Sequence, residues 1–170
     1  MRQTVTSLVT AGFLLSLAVP VGAWAKGDQA FLRKAMEGDN SEIALGHMAE
    51  QKGASTGTRD FGRMLVQDHT QARTQALPVA QAHGLSPTEV MQPEAVRERH
   101  KLADVSGQAF DREFARYMVQ DHKKDISDFA KAAATGDATT AALARKNLPV
   151  LRKHLATAEK LESETGGKGK

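Results

Sequence analysis

The stretch Phe61-Gly-Arg-Met-Leu-Val-Gln-Asp-His69 returns 53 residues later as Phe114-Ala-Arg-Tyr-Met-Val-Gln-Asp-His122. Six of the nine positions are identical, and the other three exchange small for small or bulky for bulky, so the two copies read as one element used twice. Neither copy alternates apolar and polar residues. Each places its apolar residues three and four apart, the period of an amphipathic helix. Duplicated helix packing explains the repeated Phe and the Leu or Met positions. It does not explain why Asp-His stands at the end of both copies.

Working outward, the same period gives four long helices. The first is expected from about Asp28 to Ala54, with Phe31, Ala35, Gly38, Glu42, Leu45 and Ala49 on one face. Gly53 to Gly57 breaks it, and Thr56 or Thr58 is the candidate N-cap of the next. The second runs from Thr58 to His83, with Gly62, Leu65, His69, Ala72 and Ala76 inward, Pro78 expected to kink it and Gly84 closing it. Pro87 and Pro93 break the segment that follows, and a short extra helix fits Glu94 to Ala103. The third long helix starts near Ser106-Gly107 and reaches Thr135, with Phe114, Met118, His122, Ile126 and Phe129 inward. Gly136 ends it. Asp137 caps the fourth, which carries Leu143, Asn147, Leu151, His154, Ala158 and Leu161 and bends at Pro149. The expected fold class is all-α, a four-helix bundle with a short helix between its second and third members.

The first 25 residues read as an export signal rather than as part of the fold. Arg2 precedes an apolar run from Leu8 to Val21, and Ala23-Trp24-Ala25 puts small residues where a signal peptidase cuts. That run is short for a membrane span. Removing 25 of the 170 residues leaves 145, and losing Arg2 lowers the formal charge from +3 to +2. The working domain is then 26–164, with 165–170 a frayed tail, in an exported protein, periplasmic or secreted, without a transmembrane span once the signal is cut.

Composition narrows the chemistry. There is no cysteine, which excludes disulfides, thiolate metal sites and cysteine nucleophiles. Basic and acidic residues nearly balance, 23 against 20, and aromatics are 5%, so neither a basic nucleic-acid surface nor a base-stacking platform is expected. The cluster Arg97, Arg99, His100, Lys101 reads as a solvated loop. No phosphate loop, dinucleotide fingerprint or nucleophile elbow occurs.

What stands out is one ionisable residue on the inward face of each long helix: Glu42, His69, His122 and His154. Each costs several kcal/mol in a bundle interior unless paired or ligated. Counting rise from the helix corners puts Glu42 and His69 at roughly 18 Å depth, and His122 and His154 at roughly 20 and 24 Å. One carboxylate and three imidazoles at similar depth suit a divalent transition ion, zinc, iron, copper or manganese, or else a small ligand in the bundle core. Asp68, Asp121 and Asp125 are candidate additional ligands or partners of the imidazoles. The competing reading keeps the histidines as neutral hydrogen-bonded core groups in a structural or protein-interaction module of the cell envelope. His47, His83 and His100 fall off the inward faces and are expected at the surface.

Phe31, Glu42-Ile-Ala-Leu-Gly46, Phe61, Met64 to His69, Ser106-Gly107-Gln-Ala-Phe110-Asp111, His122, Leu148-Pro149 and His154-Leu155 together resemble a bacterial exported family catalogued as domain of unknown function 4142. The resemblance spans nearly the whole chain after the signal. It implies export and a ferritin-like four-helix fold, and names no activity. Members are often labelled outer membrane proteins, yet helices without strand alternation cannot close a transmembrane barrel. The Glu-x-x-His ligand pairing of di-iron bundles is missing, so ferroxidase chemistry is not expected.

Overall fold

The computed structural model describes residues 21–166, and these form five helices with no strand among them. They are α1 (Val21–Lys52), α2 (Thr56–Ala82), α3 (Pro93–Ala103), α4 (Gly107–Thr135) and α5 (Ala138–Gly166). α1 starts ahead of the expected Asp28, and α5 carries Thr165 and Gly166, two residues into the expected tail. Residues 1–20 of the expected export signal and 167–170 of the tail lie outside the described residues. No described helix is long and apolar enough to cross a membrane.

The helices pack as two hairpins, α1 on α2 and α4 on α5. The hairpins meet through α2 against α5 and α1 against α4, which leaves α2 and α4 diagonally opposed. α3 lies across α1 and α4. The two copies of the repeat therefore face one another across the bundle centre. Phe61 and Phe114 touch edge to face with ring centroids 5.9 Å apart, and Phe110 stacks on Phe114 at the same distance. All three rings are fully buried, each contributing on the order of 2–3 kcal/mol of burial.

Chain chemistry sets the corners. Ser55, rather than Thr56 or Thr58, caps α2, its Oγ accepting from the Thr58 N–H at 3.0 Å. The choice follows from backbone geometry, because Ser55 is the extended residue just before the helix (φ −82°, ψ 151°). The buried Asp111 carboxylate, at the start of α4, accepts the Ala54 and Ser55 N–H groups at 2.9 and 2.8 Å and pins that corner to the other hairpin. At the far end of α2, Gly84 adopts φ +75°. Its N–H donates to Gln81 and that of Leu85 to Ala80, which closes the helix on a left-handed residue. Asp137 caps α5 as expected, accepting the Thr140 N–H at 2.8 Å. Pro78 and Pro149 lie inside helices that continue through them, each removing one ladder bond.

α1 and α2 cross at very short range. A Cβ on Gly62 would stand 2.6 Å from the Gly46 carbonyl oxygen and 2.9 Å from the Glu50 nitrogen, both backbone atoms that cannot step aside alone. Gly62→Ala is expected to cost about 1–3 kcal/mol in thermal denaturation, the range for overpacking. Gly27→Ala, with nothing within 4 Å of the new methyl, should cost nothing. Equal melting of Gly62→Ala and the parent would contradict so close a crossing.

Candidate metal centre

The four inward ionisable residues converge. Glu42 from α1, His122 from α4 and His154 from α5 are 0% exposed, and His69 from α2 is 5% exposed. Ring centroids are 5.3 Å apart for His69–His154 and His122–His154, and 6.3 Å for His69–His122. Each imidazole offers one nitrogen such that the three lie within 4.8 Å of one another. The depth differences counted from the sequence are absorbed by side-chain reach. Phe61 forms one wall, its ring 6.4 Å from that of His122 and 6.1 Å from that of His154.

The other nitrogen of each ring is anchored. His122 Nδ1 lies 3.0 Å from the Met118 carbonyl oxygen and must donate to it. The Nε2 of the neutral ring is then a bare lone pair. Burial, followed by the neighbouring histidines, lowers its pKa to about 3, so the ring stays neutral. His69 Nδ1 sits 2.9 Å from Asp39 Oδ1, and His154 Nε2 sits 2.9 Å from Asp68 Oδ2. With those nitrogens donating, His69 Nε2 and His154 Nδ1 are also lone pairs. Burial likewise lowers His154, to about 4. All three lone pairs are buried and without a hydrogen-bond partner. An N–H tied to a carbonyl or carboxylate, with the opposite lone pair free, is how metal-binding imidazoles are oriented.

Glu42 supplies the charge. Its Oε2 lies 3.3 Å from His69 Nε2 and its Oε1 3.6 Å from His122 Nε2, neither in hydrogen-bond geometry. Desolvation first, then the adjacent carboxylates Asp121, Asp125 and Asp39, hold its carboxyl well above the usual range. Burial also raises Asp39 and Asp121, and brings Asp125 to about 7. Glu42, Asp121 and His122 form a second group whose ligand atoms lie within 4.8 Å of one another. Asp125, one turn further along α4, is buried and lines a cavity of about 20 Å³ beside His69, room for a single water. Gly38 and Asp39 line it too, with Phe129 as an apolar wall.

The sequence residues therefore divide by role. His69, His122 and His154 face one point, and Glu42 stands against its His69–His122 side. Asp68 orients a histidine, and Asp121 and Asp125 crowd the Glu42 side. Asp39 was not singled out from the sequence, although it stands three residues before Glu42 and so on the same helical face. His83, expected at the surface, is instead half-buried. It bridges Val79 O and Asp137 Oδ2, at 2.8 Å each, because the glycine turn at Gly84 folds the end of α2 towards α5. With Asp28 and Asp137 it forms a third acidic-imidazole group, but both its nitrogens already have partners. His47 and His100 are exposed as expected.

The fold has a solved counterpart. A crystal structure of a DUF305 fragment from Deinococcus radiodurans superposes with a TM-score of 0.67 at 17% identity, covering 86% of this chain and 98% of that one. No curated protein matches the sequence. The model of the domain of unknown function DUF4142 matches residues 18–161, nearly the full length of the helical unit. The chain belongs to that family.

Proposed function

We propose that this protein is an exported ferritin-like four-helix bundle, with α3 as an accessory helix, that binds a divalent transition-metal ion through His69, His122, His154 and Glu42. The observation that carries the reading is the lone pair of His122 Nε2. It is fully buried, cannot be protonated without giving up the Met118 carbonyl or becoming charged, and has no partner. Leaving one such group bare costs about 1–3 kcal/mol, and here three converge. A metal ion meets all three at once, and the Glu42 carboxylate offsets half its charge. Nitrogen-rich donors without thiolate suit zinc, copper, iron or manganese, with copper and zinc held most tightly. Bonds of about 2.1 Å set tetrahedral ligand atoms about 3.4 Å apart, so the nitrogens, within 4.8 Å of one another, must draw closer when the ion binds. Export through residues 1–25 would place the site where it meets metal outside the cytoplasm, consistent with a role in envelope stress tolerance.

A second reading keeps a structural or protein-interaction module of the envelope, with protons in place of the metal. Its supporting observation is that burial raises all four clustered carboxyls, which favours protons over bare charge there when no metal is bound.

The two readings part on metal content. Elemental analysis of the purified protein should find at least one transition ion per chain, and His69→Ala should lower affinity for added zinc at least tenfold while helicity is retained. Asp39→Asn and Asp68→Asn, which loosen the orienting bonds, should each weaken binding by about 10–100-fold. Substoichiometric metal, unchanged in His69→Ala, contradicts the metal reading.

The raised carboxyl pKa values also fix a pH dependence for the metal-free protein. Up to about pH 7 the unfolded chain's His122 and His154 hold protons that the neutral folded rings refuse, a contribution that raises stability with pH and fades above it. The carboxyls act the other way: Glu42, held well above the usual range, and Asp125, brought to about 7, bind protons in the folded chain more tightly than in the unfolded one. Once the histidine contribution has faded the folded state binds more protons, and stability falls as pH rises from about 7 to 8, by up to about 1.4 kcal/mol per pH unit for each retained proton. Added zinc displaces those protons and should flatten or reverse the slope. Chemical denaturation at several pH values with and without zinc reads both effects. A stability of the metal-free protein that rises over this interval contradicts the assignment.

A further inference from the structure

The carboxylates around Glu42 exceed what one ion needs. Asp39, Asp121 and Asp125 cluster around Glu42, and Asp39, Glu42 and Asp125 are buried. Among the described residues, no Lys or Arg lies within ion-pair distance of any of the four; the nearby Lys34 pairs with Asp128 instead. When metal displaces their protons the four carry four negative charges, of which one divalent ion offsets two and two ions offset all four.

The ligand groups overlap in an informative way. One comprises His69, His122 and His154, and the other Glu42, Asp121 and His122. His122 has a single lone pair to give, because its Nδ1–H is committed to Met118. It cannot serve two ions. Glu42 can, since its two oxygens face different imidazoles, at 3.3 and 3.6 Å, and its one hydrogen-bonding neighbour is the carboxyl of Asp121, itself a candidate ligand. A fully buried carboxylate set between two imidazoles and a second carboxyl has the form of a bridge. Asp121 and Asp125 are four residues apart on α4 and so share a face beside it. The water-sized cavity reaches Asp125 and Asp39, and an oxygen-ligated cation keeps such waters.

We propose that the centre is dinuclear, with a second divalent cation held on the oxygen side by Asp121 and Asp125 and joined to the histidine-bound ion through Glu42. The proposal rests on the histidine reading above. Its all-oxygen donor set selects a hard ion such as Mn²⁺ or Mg²⁺, whereas the imidazole side selects a zinc-like ion, so the two positions differ in preference.

Purified protein loaded with one equivalent of Zn²⁺ and then titrated with Mn²⁺ tests this. Bound metals are counted by elemental analysis after desalting, and free Mn²⁺ is read from its aqueous paramagnetic resonance signal. One zinc and one manganese per chain are expected. The double variant Asp121→Asn, Asp125→Asn should keep zinc and lose manganese affinity at least tenfold. Zinc bound with all manganese free overturns the second position and leaves the histidine site standing. Manganese binding undiminished in the double variant also overturns it. Failure to bind either metal removes the histidine reading itself. The parent protein's stoichiometry decides even if the variant does not fold.

Discussion

Everything in this bundle is arranged around the need to satisfy three imidazole lone pairs and one carboxylate in a space without water. Apolar packing alone would not ask for them. A Leu at any of the four positions would fill the volume and remove a desolvation cost of several kcal/mol. The chain instead spends a helix position on each and surrounds them with partners that fix their orientation. Met118 O, Asp39 and Asp68 hold the outer nitrogens, and Phe61 walls the inner space. The outer bonds make sense as orientation. They leave the inner atoms aimed at one point and unpaired.

The packing explains how four helices reach that point together. The glycine contact between Gly46 and Gly62 lets α1 and α2 lie close, which brings Glu42 and His69 to 3.3 Å. The repeated Phe residues meet across the centre and set the distance between α2 and α4, about two turns from the repeated histidines. Repetition of the nine-residue stretch is thus a device of position. Each copy supplies a core ring and, eight residues later, an inward imidazole. The Asp before each histidine takes a different task in each copy. Asp68 turns to His154 on α5, and Asp121 turns to Glu42 on α1, because the two helices have different neighbours.

Much of this could be read before any coordinates. The all-helical class, the inward faces and the convergence of Glu42, His69, His122 and His154 followed from a period of three to four residues and from helix rise. What local pattern could not supply were contacts fixed by tertiary approach. Asp39 lay on the Glu42 face at a spacing of three, yet an apolar-periodicity reading passes over a charged residue. His83 was read as exposed because it lies off the apolar stripe, and its partner Asp137 is 54 residues away. Among the adjacent hydroxyls Ser55, Thr56 and Thr58, the choice of cap depended on which residue was extended, a property of the corner and not of composition. Asp68 and Asp121 looked equivalent in sequence and were separated only by their neighbours.

The central claim is that the inner nitrogens of His69, His122 and His154 are metal ligands. X-ray absorption at the zinc edge of protein carrying one equivalent of zinc addresses it most directly. The account expects a four- to five-coordinate shell of nitrogen and oxygen at about 2.0–2.1 Å, with outer-shell scattering from three imidazoles that falls to two in His154→Ala. An all-oxygen shell without imidazole scattering, or a spectrum unchanged by His154→Ala, would contradict it.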